Sequence, residues 1–224
     1  MPAILRARCR IVATMNRSLL LLDAYAAQPG DPVTRALAGV LESACAGRLP
    51  RFAQWLGLPP DAFRHMLDHC FPGAAQAGWA PDVPPQAPDS LPCEFADLVE
   101  MLEDGCTPGA AGTLVPLVHW AAHALACGCF GHTHLWQDMG LSGRDDVSAL
   151  LRQVFWPVFA ANTTDMKWKK FFYHRVCERL DIHPCPEPSC EGCDHYAACH
   201  GAESAIESVI ESAIESVIVR QPRS

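Results

Sequence analysis

Lysine is scarce in this chain of 224 residues: there are three, all between positions 167 and 170. Positive charge is short overall, with 17 Lys and Arg against 25 Asp and Glu and a formal charge of −8. A nucleic-acid groove needs a net basic face to neutralise phosphates, so that class of partner is excluded. Long apolar runs are missing too, and none approaches the roughly 20 residues that cross a bilayer. Arginines ahead of Leu19 to Leu22 faintly imitate an export signal, but the run stops at Asp23, short of the usual apolar core of such a signal. Few stretches alternate with period two, which leaves β-strands without support. What remains is half hydrophobic, enough to exclude wholesale disorder and to bury a core. The expectation is an acidic, soluble, cytoplasmic protein with neither nucleic-acid nor membrane partners.

The apolar pattern that is present repeats every three or four residues. Residues 31–48 open with Asp31 as N-cap and Pro32 at the first helical position, the chemistry that starts a helix. Residues 59–70 repeat it and end near Phe71, Pro72 and Gly73. Residues 74–92 carry several prolines without periodicity and read as a linker or long loop. Helical segments resume at 93–105, 112–131, 144–162 (with Pro157 expected to kink it) and 165–180. The fold class expected is all-α: a bundle-like domain with an N-terminal part (1–73), the loop, a larger part (93–201) and a tail (202–224). In the tail an ESAI/ESVI tetrapeptide occurs four times. Read as a helix it has one apolar stripe, opposed by aligned glutamates at roughly 0.2–0.5 kcal/mol per pair. A capping helix or low-complexity extension is the expected role.

Twelve cysteines are many for such a chain. Disulfide scaffolds are short, secreted and poor in core, whereas clustered thiols in a reducing compartment bind metal. Four of them, Cys185, Cys190, Cys193 and Cys199, fall within fifteen residues in the spacing C-x4-C-x2-C-x5-C. Pro184, Pro186 and Pro188 stiffen that segment, and Gly192 lets it turn. Four thiolates in one compact loop suit an iron-sulfur cluster better than a zinc site, which usually joins two short pairs across an insert. Zinc and a disulfide or redox loop stay open on spacing alone.

Other candidates carry a weaker signal. His119, His123 and Cys127 share one helix face, with Cys129, His132 and His134 just beyond, and could form a second metal site or sit as hydrogen-bonded core residues. Core packing is the expectation there, and a metal site is expected still less at His65 and His69. Lys167 and Lys170 project with His174 to one side of a helix whose apolar row is Trp168, Phe172 and Val176. That cationic patch suits an oxyanion or an acidic partner, or is simply a solvated face.

The cysteine spacing, "HLWQDMGL" (134–141) and "DMKWKKFFYHRVCERL" (165–180) together resemble the NifQ family, the molybdenum-supplying factors of nitrogenase cofactor assembly. The resemblance runs from about residue 127 to 200; earlier, only "LGLPPDAF" and "CFPG" echo it, and the tail beyond Gly201 stands outside it. It implies a cytoplasmic carrier, rather than a turnover enzyme, that holds molybdenum in an iron-sulfur cluster of the [4Fe-4S] or Mo-3Fe-4S type. Its partners would be the scaffold complex and the reductase component on which the iron-molybdenum cofactor is completed. The family's four-cysteine motif carries over onto Cys185, Cys190, Cys193 and Cys199. Lys167, Lys169 and Lys170 become candidates for attracting molybdate or an acidic partner, and His134 or Asp138 candidates beside the cluster. Competing readings are a [4Fe-4S] electron-transfer protein, a zinc-stabilised interaction domain and a helix-hairpin-helix DNA glycosylase. The last uses a C-x6-C-x2-C-x5-C loop and a basic surface that this chain lacks.

Overall fold

In the computed structural model, residues 22–79, 91–108 and 115–181 are described. Among them are eight α-helices and no strand, so the fold is all-α. In chain order they are α1 (Pro32–Cys45), α2 (Pro60–Cys70), α3 (Cys93–Asp104), α4 (Val115–Cys129), α5 (Leu135–Asp138), α6 (Arg144–Val154), α7 (Trp156–Ala161) and α8 (Trp168–Arg179), with single 3-10 turns at Leu22–Tyr25 and Arg51–Trp55. The cysteine-rich segment 185–199 and the tail 202–224 lie outside the described residues. None of the described helices is long and apolar enough to cross a membrane.

The starts follow local chemistry. Asp31 caps α1, its carboxylate accepting from the Thr34 backbone N at 2.9 Å and from Thr34 Oγ1 at 3.1 Å, with Pro32 behind it. Pro60 opens α2 in the same position, and the helix ends at Cys70, before the Pro72-Gly73 pair. One expectation changes. Pro157 does not kink a continuous helix; the helix stops at Phe155, whose backbone leaves the helical region, and α7 begins afresh with Pro157 in its first turn, where a missing N–H is harmless. Thr107 bridges the break: its N–H donates to the Val154 carbonyl at 2.8 Å, and its Oγ1 accepts from Trp156 N at 3.0 Å.

The chain divides into two compact units, the second beginning at Ala160. In the first unit α1 lies against α4, α6 and both 3-10 turns, α3 lies along α4, and α5 touches α4 and α6. Helices on either side of residues 74–92 therefore share one core. Leu37, Val40 and Leu41 of α1 and Leu125 of α4 are wholly buried, each such side chain contributing roughly 1.5–3 kcal/mol. Small residues set how closely the elements approach, as in the buried run Ala121, Ala122, Ala124 and Ala126. Among the described glycines the tightest surroundings are at Gly39 in α1, where any Cβ would run into the Met139 carbonyl oxygen at the end of α5. Gly140, at φ +65°, lets the chain turn away there without strain. Arg35 and Asp146 clamp α1 to the start of α6 through two parallel hydrogen bonds of 3.0 Å.

In the second unit the Asn162 side chain closes a turn, donating to the Met166 carbonyl at 2.8 Å and accepting from Met166 N at 2.9 Å. Helix α8 follows, with the expected row of Trp168, Phe172 and Val176 buried and Phe171 added to it.

In a helix interior Gly→Ala normally stabilises, by about 1 kcal/mol. Gly39→Ala should do the reverse and cost about 1–3 kcal/mol through overpacking, while Gly143→Ala, at the N-cap of α6 with open space around it, should cost less than about 1 kcal/mol. Urea-unfolding midpoints of the two variants check this.

Candidate functional site

The α4 stripe is built as core. His123 is buried, and its Nδ1–H donates to the Leu56 carbonyl at 2.7 Å, which leaves Nε2 as the bare nitrogen of the neutral ring. Leu56 offers that carbonyl from a left-handed conformation at φ 58°. Phe95 packs edge-on at 5.3 Å. Burial pushes the His123 pKa down to about 4, reinforced by neighbouring His119 and opposed by the Leu56 hydrogen bond and by Glu103. His119, half-exposed, meets the Glu103 carboxylate at 2.5 Å, and its ring lies 4.4 Å from that of His123. Cys127 is fully buried, so its thiol is held protonated well above the ordinary range, first by burial and then by Cys129. Cys70 is likewise pushed up to about 12 by burial, with Asp31 adding to it. Among the described residues no group of three or more His, Cys, Asp or Glu is placed to hold a metal. His123 and Cys127 are buried in the core, while His119 is half-exposed and paired with Glu103. Glu103, sixteen positions from His119, left no local trace in the sequence.

The segment 131–141 has a different logic. Asp138 is buried and turned inward, its carboxylate accepting from Thr133 N at 3.0 Å and Thr133 Oγ1 at 2.8 Å. Gly131 lies so close that a Cβ there would overlap the same carboxylate. His134 starts α5, its N–H donating to Gln137 Oε1 at 3.1 Å, and its ring stands nearly parallel to Trp136. Asp138 thus pins the turn that presents His132, exposed, and His134, half-buried.

In the second unit, Lys167 is the N-cap of α8, in extended backbone, while Lys169 and Lys170 lie in the first turn. All three are half-buried, and no acidic residue shares that turn. The positive end of the helix dipole and three ammonium groups coincide there. His174 pairs with Glu178 at 3.1 Å instead of extending the cationic face. The four cysteines proposed as ligands, Cys185, Cys190, Cys193 and Cys199, belong to the segment outside the described residues.

His123 makes stability depend on acid. Above pH 6.5 both folded and unfolded forms are neutral; below it the unfolded chain takes a proton that the folded one refuses until about pH 4. Stability should fall across that window by up to about 3 kcal/mol from this residue. His123→Gln, which keeps an N–H for Leu56, should flatten that part of the profile, as read from urea unfolding at intervals between pH 4 and 7.5.

Comparison with known proteins covers both units. The NifQ family model matches residues 36–201, from α1 through Cys199, and leaves the tetrapeptide tail outside. Protein NifQ of Rhodobacter capsulatus is 32% identical over 181 residues, 79% of this chain and 95% of that protein. Protein NifQ of Azotobacter vinelandii is 42% identical over 84 residues, 38% of this chain and 43% of that protein, so the likeness spans less than half of that relative. A Protein NifQ homolog of Sinorhizobium fredii is 41% identical over 71 residues, 32% of this chain and 31% of that protein. No solved structure matches the chain. The likeness reaches well ahead of residue 127, into the core helices where the short motifs carry little of it, and the chain belongs to the NifQ family, which is implicated in nitrogen fixation.

Proposed function

We propose that this protein is a cytoplasmic molybdenum carrier that receives the metal as cargo at a cysteine-bound iron-sulfur cluster and gives it up during assembly of the nitrogenase iron-molybdenum cofactor. The observation that carries this reading is the set Cys185, Cys190, Cys193 and Cys199, four thiols within fifteen residues, inside the span matched by the family. Thiolates are soft donors, suited to iron in a sulfide setting and to a heavy metal leaving the hard oxygen ligands of molybdate. The donor set fits such a cluster. Cys70 and Cys127 differ from that set, since burial disfavours their thiolate forms.

The cluster, when bound, supplies sulfide ligands for the cargo metal. The chain's own residues do the rest. Cys185, Cys190, Cys193 and Cys199 would hold the cluster, and the prolines among them would reduce the chain entropy lost on ligation. Lys167, Lys169 and Lys170 stand at the start of α8, where the positive end of the helix dipole adds to their own charge. We assign them to attracting molybdate or the acidic face of a partner. The partners in this reading are the scaffold complex on which the cofactor is completed and the nitrogenase reductase component. His134, on the turn pinned by Asp138, is assigned to the same task of handling the incoming metal.

Protein purified without oxygen should contain iron and acid-labile sulfide, with molybdenum below one equivalent. Alanine at any of the four cysteines should lower all three while leaving the far-ultraviolet helical signal in place. Replacing the three lysines together by glutamine should reduce molybdenum content and transfer while iron and sulfide hold. Colourless, iron-free protein overturns the proposal; iron and sulfide never joined by molybdenum point to electron transfer, and zinc alone to a structural site.

A further inference from the structure

Helix α2 buries Phe63, Met66, Leu67 and Cys70 and leaves His65 and His69 exposed on its other side. Four residues apart, they stand one above the other on the same face. Their ring centroids are 6.4 Å apart with the planes at 70°. Both rest on one indole: Trp120 of α4, itself buried, lies 5.5 Å from each ring, at 82° to His65 and 55° to His69. Nothing in the proposed carrier chemistry uses these three side chains.

We propose that His65 and His69, seated on Trp120, form a two-imidazole site for a borderline divalent transition cation of the Ni2+, Zn2+ and Cu2+ class, with ligands other than the four clustered cysteines. Imidazole nitrogen is a preferred ligand for these ions. One-turn spacing brings two of them to the same ion, as it does for paired histidines on metal-binding helices. Packing against a buried indole narrows the rotamers available to both rings, so less side-chain entropy is lost on binding. The neighbouring acid Asp61 is engaged by Arg64 at 2.8 Å, which leaves the imidazoles as the donors and water to complete the shell. Among the described residues no group of three ligating side chains exists, so the described part of the chain supplies two ligands there. Such a site is exchangeable, as suits capture of a cation rather than permanent structural binding. It depends on neither the cysteine cluster nor the carrier reading.

The test uses the untagged full chain titrated with Ni2+ alone, followed by calorimetry and by tryptophan emission. The parent should show a Ni2+ site whose affinity falls at least tenfold in His65→Gln and equally in His69→Gln, while His119→Gln binds as the parent does. Ni2+ should quench part of the emission, and Trp120→Phe, which keeps a ring beneath the histidines, should bind Ni2+ yet lose most of that quenching. Other thiol or imidazole sites are common to all variants and cancel in the comparison. Both histidines are exposed, so their replacement spares the core; far-ultraviolet circular dichroism checks this, and Cu2+ electron paramagnetic resonance of the parent, expected to show two coupled nitrogens, gives a second readout without mutation. Unchanged Ni2+ affinity in either histidine variant, unchanged quenching in Trp120→Phe, or loss of the site in His119→Gln would overturn the proposal.

Discussion

Two backbones meet at Gly39 and Met139 with no side chain between them, and the first unit is arranged around that meeting. Helix α1 cannot approach the end of α5 unless residue 39 lacks a Cβ, and the chain cannot leave the contact unless residue 140 tolerates a positive φ, which Gly140 does. Because α1 also lies on α4 and α6, the contact sets the depth at which the 131–141 segment enters the core. Met139 and Leu135 of that segment in turn close over Gly128 of α4. Small residues here act as spacers that fix distance, in a packing dense enough that one methyl group is felt.

That rigidity bears on the chemistry. The turn carrying His132 and His134 is held from inside by Asp138 and Thr133, and its imidazoles are offered by a scaffold that does not need to reorganise. The same scaffold sorts the cysteines. Cys70 and Cys127 are desolvated, which raises their thiol pKa, so they behave as small hydrophobes. Histidines are sorted likewise: His123 is kept neutral by burial, His119 is matched with Glu103, and His65 and His69 are left at the surface.

Much of the local architecture could be read from residue types. The Asp31-Pro32 start, the Pro60 start and the 3.6-residue apolar rhythm named the helices because each rests on interactions within one turn. Pro157 was read as a kink because sequence shows the missing N–H but not Thr107, fifty positions earlier, whose hydroxyl and amide hold a full break in place. For the same reason sequence could favour core packing for His119 and His123 without naming what they bond to. Their partners, Glu103 and the Leu56 carbonyl, come from elsewhere in the chain, and a backbone carbonyl leaves no trace in residue identity.

The sequence by itself determined the all-α class, the helix starts, the cysteine spacing and the family motifs, since these follow from neighbours within a few positions. Only the tertiary structure decided which thiols are silenced by burial, which histidines are satisfied and which stand exposed over Trp120, and that residue 39 must be glycine. Desolvation and close packing depend on what folds in from distant parts of the chain, and no local pattern encodes them.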